Sequence, residues 1–255
     1  MFIAVIPARA GSKRIPLKNV VPLLGRPLIS YAIQAILNSK SFDRVFVATD
    51  CHEIAETSRQ CGAEVPFLRA KYNDDISPVS SATISFIKEL LDQRIIEVPD
   101  IVAQVFACCP LISPCDISGS VSRFISNNRK LQVSCANYFS GNPCWGFTLR
   151  NGSTSNPVWL SKEALGMRSQ DLPEVLFPTG AVWIGRWEKL LEVNSFYSSI
   201  TNFDKLPIEC GIDIDWPQDL EVAEALLFSR IIRDNYDLSF NEVLNALRDS
   251  PLLRN

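Results

Sequence analysis

Four short apolar runs, at residues 2–6, 44–49, 64–67 and 101–107, alternate with stretches at 28–37, 52–61 and 81–91 whose apolar residues recur at helical spacing. Runs of that length, rich in Val, Ile and Phe, are predicted to be buried strands, and the intervening stretches amphipathic helices. Chains that repeat strand and helix in this order fold as a parallel sheet covered by helices through right-handed crossovers. The predicted class is therefore α/β, doubly wound around a mostly parallel sheet. Ligands of such sheets bind beyond the carboxyl ends of the strands. The loops after Ile6, Thr49, Phe67 and Ala107 are thus expected around one crevice. Asp50 followed by Glu53 predicts an N-cap with its reciprocal acid at the second helix.

Between residues 139 and 178 the periodicity disappears and Gly, Asn, Ser, Pro and Trp become frequent. A structureless loop of that length is uncommon inside a compact domain, so this stretch is expected to be an irregular arm or small β excursion that packs on a second subunit. Regular structure is predicted to resume with a strand at 179–184 and helices at 186–193, 217–233 and 240–247. The expected organisation is a core of residues 1–138 and 179–255 with an arm at 139–178. A chain of 255 residues, 47% of them apolar, can bury such a core without disulfides. The longest nearly unbroken apolar run, 101–112, is too short to span a bilayer and contains Gln104 and Pro110. The first residues carry no base before the apolar run and meet Pro7 at once, which predicts a first strand rather than a signal peptide. The expectation is a soluble, cytoplasmic protein without membrane partners.

The eight cysteines form no CxxC pair, and His52 is the only histidine. A Cys/His zinc site is therefore not expected, and the cysteines, Cys108-Cys109 among them, are predicted to be reduced packing residues. Trp145, Trp159, Trp183 and Trp187 are expected in core or dimer packing, and Asp74-Asp75 in a solvated loop.

Charge is uneven along the chain. The net charge of −3 carries no footprint of nucleic-acid binding. Yet the first 42 residues hold six bases and no acid, leaving 19 of the 25 bases against all 28 acids in the remainder. A basic start on an acidic protein points to a local anionic ligand. Four of those bases, Arg9, Lys13, Arg14 and Lys18, lie in the loop that leaves the first strand. That loop has neither the P-loop nor the dinucleotide-binding glycine spacing. Gly11 and Ser12 let its backbone approach an anion, and Arg9, Lys13 and Lys18 would neutralise a triphosphate. Far downstream, Asp213-Ile214-Asp215 sets two carboxylates on one side of an extended segment. Mutual repulsion of such a pair is relieved by a divalent cation, and Mg²⁺ favours one or two carboxylates together with substrate phosphates.

The segment Ile6-Pro7-Ala8-Arg9-Ala10-Gly11-Ser12-Lys13-Arg14-Ile15-Pro16-Leu17-Lys18-Asn19 resembles the opening motif of the CMP-sialic acid synthetases (acylneuraminate cytidylyltransferases), above all their pseudaminic acid cytidylyltransferase branch. Residues 42–50, 62–69, 168–173 and 212–215, followed by Pro217 and Asp219-Leu220, agree with it, so the resemblance spans about residues 2–228. It implies a Rossmann-like nucleotidyltransferase core with a protruding dimerisation arm, a homodimer, and coupling of CTP to a nonulosonic (sialic-acid-like or pseudaminic) acid with release of pyrophosphate. By this resemblance Ala8, Arg9, Gly11, Ser12, Lys13, Asn19, Arg69 and Ser81 (or Ser80) would bind the nucleotide. Lys18, Arg9 and Asp215 would act in catalysis, Asp213 and Asp215 would hold Mg²⁺, and Arg168 and Gln170 would lie near the sugar.

Three positions depart from the family pattern. Phe106 stands where many members carry a base-reading Gln. Trp216 replaces a small capping residue, with Asp219 as the acid that would compensate. Pro178-Thr179 precede Gly180 where the pseudaminic branch has an acid. The alternatives are a catalytically silent nucleotide-binding homologue and a nucleotidyltransferase for another sugar such as Kdo.

Overall fold

The computed structural model describes residues 1–71, 78–138, 141–150 and 153–234. The predicted stretch at 240–247 and Asp74-Asp75 lie outside the described residues.

The first strand, β1 (Phe2–Pro7), is buried on both faces along its length. A two-strand ribbon, β2 (Pro22–Leu23) and β3 (Arg26–Pro27), leads into α1 (Leu28–Ser39). Then come β4 (Arg44–Ala48), α2 (His52–Gln60), α3 (Val79–Asp92) and β5 (Ile101–Gln104). These follow the predicted alternation, with two corrections. Residues 64–67 make no strand, since only Glu64 pairs, singly, with Phe46. The run 101–107 leaves the sheet after Gln104, because Val105 to Ala107 turn into the loop above it.

The stretch after this loop, for which the sequence pattern specified no element, forms α4 (Pro114–Ser126) and β6 (Leu131–Asn137). Helix α4 carries the capping box that the sequence suggested for α2. Asp116 N–H donates to Ser113 Oγ at 3.1 Å, and Ser113 N–H donates to Asp116 Oδ2 at 2.9 Å. Helix α2 begins after Cys51 with no side-chain cap at all, so Asp50 is not its cap. Next come the hairpin β7 (Phe147–Arg150) and β8 (Ser153–Trp159), then β9 (Leu176–Arg186), α5 (Trp187–Val193), β10 (Thr201–Lys205) and α6 (Pro217–Asp234). Strand β9 is longer than predicted and takes in residues 176–178.

The six main strands are ordered β10-β6-β9-β5-β1-β4. β1 is parallel to β4 and β5, and β10 is parallel to β6. Only β9 runs antiparallel, between β5 and β6. Alternate residues of β1 serve opposite layers. Ala4 and Ile6 pack with Ile29, Ile33 and Ile54, whereas Ile3 and Val5 pack with Ile87, Leu90 and Trp187. Helices thus cover both faces, as a doubly wound sheet requires. Among the described residues no helix is long and apolar enough to cross a membrane.

A third, smaller cluster lies beyond the carboxyl ends of the parallel strands. There Ile15 of the first loop packs with Leu23, Leu28, Ala223 and the fully buried Ile214. It clamps the basic loop against the acidic segment. Truncation in Ile214→Ala removes buried apolar contacts from both sides of that clamp and is expected to lower stability by about 2–5 kcal/mol. Urea unfolding measures this, and an unchanged midpoint would mean that the clamp is not packed.

Candidate active site

The first loop is shaped by backbone bonds to the neighbouring strand ends. Ala8 N–H donates to the Ala48 carbonyl at 3.0 Å, and Ala10 N–H to Asp50 Oδ1 at 2.9 Å. Asp50 is therefore spent on positioning the basic loop, which explains why it does not cap α2. Asn19 Nδ2–H closes the loop on the Arg9 carbonyl at 3.0 Å. Leu17 has φ 49° and ψ 36°, in the left-handed region. A side chain there costs on the order of 1–2 kcal/mol. That conformation reverses the chain so that the short turn Lys18–Val20 starts with Lys18 directed at the acidic segment.

The acidic segment is fixed as firmly. Ile214 N–H donates to the Cys108 carbonyl at 2.8 Å, tying residues 213–215 to the loop above β5. Lys18 Nζ donates to the Ile214 carbonyl and to Asp215 Oδ1, the latter at 3.1 Å. Arg14 Nη2 reaches the same oxygen at 3.0 Å. Asp219 Oδ2 accepts from the backbone N–H groups of Asp215, at 2.8 Å, and Trp216, at 2.7 Å. It supplies the reciprocal half of a capping box, the first-turn acid that accepts the N–H ahead of the helix, while Trp216 offers no side-chain oxygen for the other half. The exposed Trp216 ring carries the Arg14 guanidinium 5.0 Å from its centroid.

These elements enclose a cleft of about 410 Å³. Arg9, Lys13, Arg14, Lys18 and Arg69 line it together with Asp215, and Phe106 and Ala82 add apolar wall. Burial works against the Lys18 ammonium, but Cys108, Asp213 and the hydrogen bond to Asp215 outweigh it and raise its pKa. Arg69 is almost wholly buried, and its pKa is lowered by burial and by the charge of Arg9, with Asp50 opposing. Two guanidinium groups that repel each other in a cleft favour an anionic ligand. Asp213 keeps an exposed edge, yet the protein packed around its carboxyl raises its pKa, as do the charges of Asp215 and Asp219, while Cys108 and Lys18 pull it back.

The pattern of a family described as cytidylyltransferase matches residues 3–143 of the chain. A pseudaminic acid cytidylyltransferase of Campylobacter jejuni is 35% identical over 225 residues, which cover 88% of this chain and 95% of that protein. The chain belongs to the cytidylyltransferase family. A CMP-N,N'-diacetyllegionaminic acid synthase of Legionella pneumophila is 31% identical over 230 residues, 89% of this chain and 96% of that protein. In fold, this cytidylyltransferase matches a CMP:2-keto-3-deoxy-manno-octonic acid synthetase complexed with CTP, with a TM-score of 0.65 and 19% identity across 90% of this chain and 99% of that one.

Of the residues singled out by sequence in this cytidylyltransferase, Arg9, Ser12, Lys13, Lys18, Asn19, Arg69 and Asp215 line the cleft. Ala8 is buried, Gly11 is exposed on the loop, and Asp213 is not among the lining residues, though its carboxylate lies close to Cys108, which is. Ser81 is not on the wall, where α3 contributes Val79 and Ala82 instead, and Ser80 is buried near the Phe196 N–H. Arg168 and Gln170 lie outside the cleft, on an exposed turn where Arg168 Nε binds Asp171 Oδ2 at 2.6 Å. Sequence reasoning left out Arg14 as a site residue, although it sits in the same motif. It also missed Asp50, whose side chain was assigned to a helix cap. Cys108 was expected to be packing, yet it lines the cleft.

Replacing Asp219 by Ala leaves the Asp215 and Trp216 N–H groups without their acceptor. The expected loss is about 0.5–2 kcal/mol of stability, read as a lower denaturation midpoint. A midpoint at or above wild type would show that this cap contributes nothing.

Proposed function

We propose that this cytidylyltransferase couples CTP to a nonulosonic acid, releasing pyrophosphate and forming the CMP-sugar, with pseudaminic acid the first sugar to test. One observation carries the reading. Cations of the first loop and the carboxylate of Asp215, 197 positions apart in the case of Lys18, meet in one cleft at 3.1 Å. The relatives named above, which match nearly full length, supply the chemistry that such a cleft would perform.

In this reading Arg9, Lys13 and Arg69 bind the phosphates, Arg as a bidentate fork and Lys as a point charge. Asn19 fixes the loop through the Arg9 carbonyl. Lys18 and Arg14, which share one oxygen of Asp215, neutralise charge at the phosphorus under attack. The anomeric C2 hydroxyl of the sugar attacks the α-phosphorus in line, the bond to the bridging oxygen breaks, and pyrophosphate leaves. The hydroxyl proton passes to Asp215 or to water. Such transfer depends mainly on positioning and charge neutralisation, so a chain whose single histidine heads α2 lacks nothing essential. Phe106, stacked edge-on against Trp183 at 5.0 Å between centroids, walls the base pocket.

Asp213 and Asp215 would hold the divalent cation, Mg²⁺. The fit rests on hard oxygen donors and on a carboxyl, that of Asp213, whose pKa is raised first by burial and then, against Cys108 and Lys18, by the like charges of Asp215 and Asp219, which a cation would relieve. Once bound there, the ion supplies Lewis-acid neutralisation of phosphate oxygens.

The core would comprise residues 1–138 and 179–255 together with residues 176–178, which belong to β9 of the main sheet, and the rest of 139–178 would be the dimerisation arm. That assignment draws on the separate hairpin β7–β8 and the exposed Phe147, Leu149, Val158 and Leu160 on and beside it. In the dimer Arg168 and Gln170 would reach the sugar end of the partner's cleft.

Pyrophosphate release with CTP, Mg²⁺ and a panel of nonulosonic acids tests the reaction. Turnover with at least one of them is expected, whereas CTP binding without turnover on any would favour a silent homologue. Lys18→Ala and Asp215→Asn are each expected to slow turnover at least about tenfold, on the order of 1.4 kcal/mol of transition-state stabilisation. Near-wild-type rates in both would remove these residues from the mechanism. Light scattering should give twice the chain mass of 28.5 kDa, and Phe147→Asp combined with Leu149→Asp should reduce it to a monomer. A wild-type monomer would exclude the arm as a dimer contact.

A further inference from the structure

The Sγ atoms of Cys108 and Cys109 and a carboxylate oxygen of Asp213 lie within 4.8 Å of one another. No local motif marks this cluster, because its third member lies more than a hundred positions downstream of the cysteines. Backbone bonds hold the three together. The Ile214 N–H on the Cys108 carbonyl, at 2.8 Å, places Asp213 beside the thiols. Cys109 N–H bonds the Phe106 carbonyl at 3.3 Å, and Phe106 N–H bonds the Gly180 carbonyl at 3.1 Å, so the cysteine pair sits on a turn anchored to β9. Gly180 is required under that turn, since a Cβ there would come within 3.0 Å of the Phe106 ring and 3.1 Å of Cys109 Sγ. Cys109 is fully buried, Cys108 is half-buried and lines the cleft, and Asp213 is exposed.

Two sulfur ligands and one carboxylate are the wrong donors for Mg²⁺, a hard cation that takes oxygen. They suit a borderline-soft cation. Zinc bonds sulfur at about 2.3 Å and carboxylate oxygen at about 2.0–2.2 Å in a tetrahedron, and a site with three protein ligands keeps its fourth position open. Ligand atoms of such a tetrahedron lie roughly 3.3–3.8 Å apart on those bond lengths, so rotamer adjustments of about an ångström would close this cluster on an ion. We propose that Cys108, Cys109 and Asp213 form a binding site for a thiophilic divalent cation of the Zn²⁺ class, its open fourth position facing the cleft. An ion held there takes Asp213 from the acidic pair and sets a positive charge close to Lys18. Zinc would therefore inhibit the reaction proposed above while Mg²⁺ supports it.

The test measures binding directly, so it stands whether or not that reaction is the right one. Full-length protein, reduced and freed of metal, is titrated with Zn²⁺ by calorimetry and with Co²⁺ by absorption spectroscopy. One equivalent per chain, with a thiolate-to-cobalt charge-transfer band and tetrahedral d–d bands, is the expected result. Cys108→Ala and Cys109→Ala should each weaken binding at least about tenfold, since even outer-shell changes at metal sites cost 10–100-fold. Asp213→Asn should weaken it while retaining the charge-transfer band. Because Cys109 is buried, circular dichroism and thermal unfolding check that its variant folds, and the cleft-facing Cys108→Ala carries the test if it does not. Absence of a charge-transfer band in wild type would overturn the proposal, and so would affinity unchanged by Cys108→Ala.

Discussion

One contact between distant parts of the chain organises this protein: the Lys18 ammonium bound to the Ile214 carbonyl and the Asp215 carboxylate. Lys18 is largely withdrawn from water, and its charge survives burial because Cys108, Asp213 and Asp215 surround it. The acids cannot be removed without leaving this largely buried lysine uncompensated, whereas Asp215 keeps Arg14 as a second partner. The contact forms only if β1 and the segment after β10 finish at the same edge of the sheet. Five parallel strands bring that about, with the single antiparallel β9 inserted among them. The site is thus a consequence of topology before it is a consequence of any side chain.

Around that contact, strain and packing reinforce one another. Leu17 holds an unfavourable backbone conformation next to the key lysine, and strain of this kind persists only where its surroundings over-determine it. Here the surroundings are Ile15 and Ile214 in one apolar cluster, Asn19 on the Arg9 carbonyl, and Asp50 on the Ala10 N–H. Asn19 and Asp50 act on backbone groups and the two isoleucines by packing, so the loop that carries the cations is held without a ligand. Side chains that need little reordering on binding forfeit less conformational entropy.

The legible part of the fold was the part governed by periodicity. Strands β1 and β4 and helices α1, α2, α3 and α6 follow directly from apolar spacing, and the crevice at the strand ends follows from their order. What escaped has local causes. The residues 64–67 carry strand-like apolar residues, but only Glu64 pairs with β4, and the chain is spent on carrying Arg69 to the cleft. Asp50 satisfies every sequence criterion of a cap, yet a backbone donor 40 positions earlier competes for its carboxylate and wins. The basic loop and the acidic pair were legible as chemistry because like charges with no local partner ask for one elsewhere. Cys108 was not legible, since nothing in the sequence near a small thiol tells whether it faces a core or a cleft.

The departures from the family pattern show how a substituted position recruits its neighbours. Trp216 cannot cap α6, but Asp219, in the first turn, turns its carboxylate back onto the Asp215 and Trp216 N–H groups. The indole, freed from that duty and exposed, takes the Arg14 guanidinium on its face. Stacking of this kind is worth about 0.5–1 kcal/mol at an exposed site, and here it also steers Arg14 toward Asp215. Phe106 follows the same logic on the opposite wall. Its ring needs the space that Gly180 leaves beneath it and the edge of Trp183 beside it. A glutamine at that position would read a base through two hydrogen bonds. A phenylalanine offers only shape and a π-face, on the same turn that carries Cys108 to the cleft.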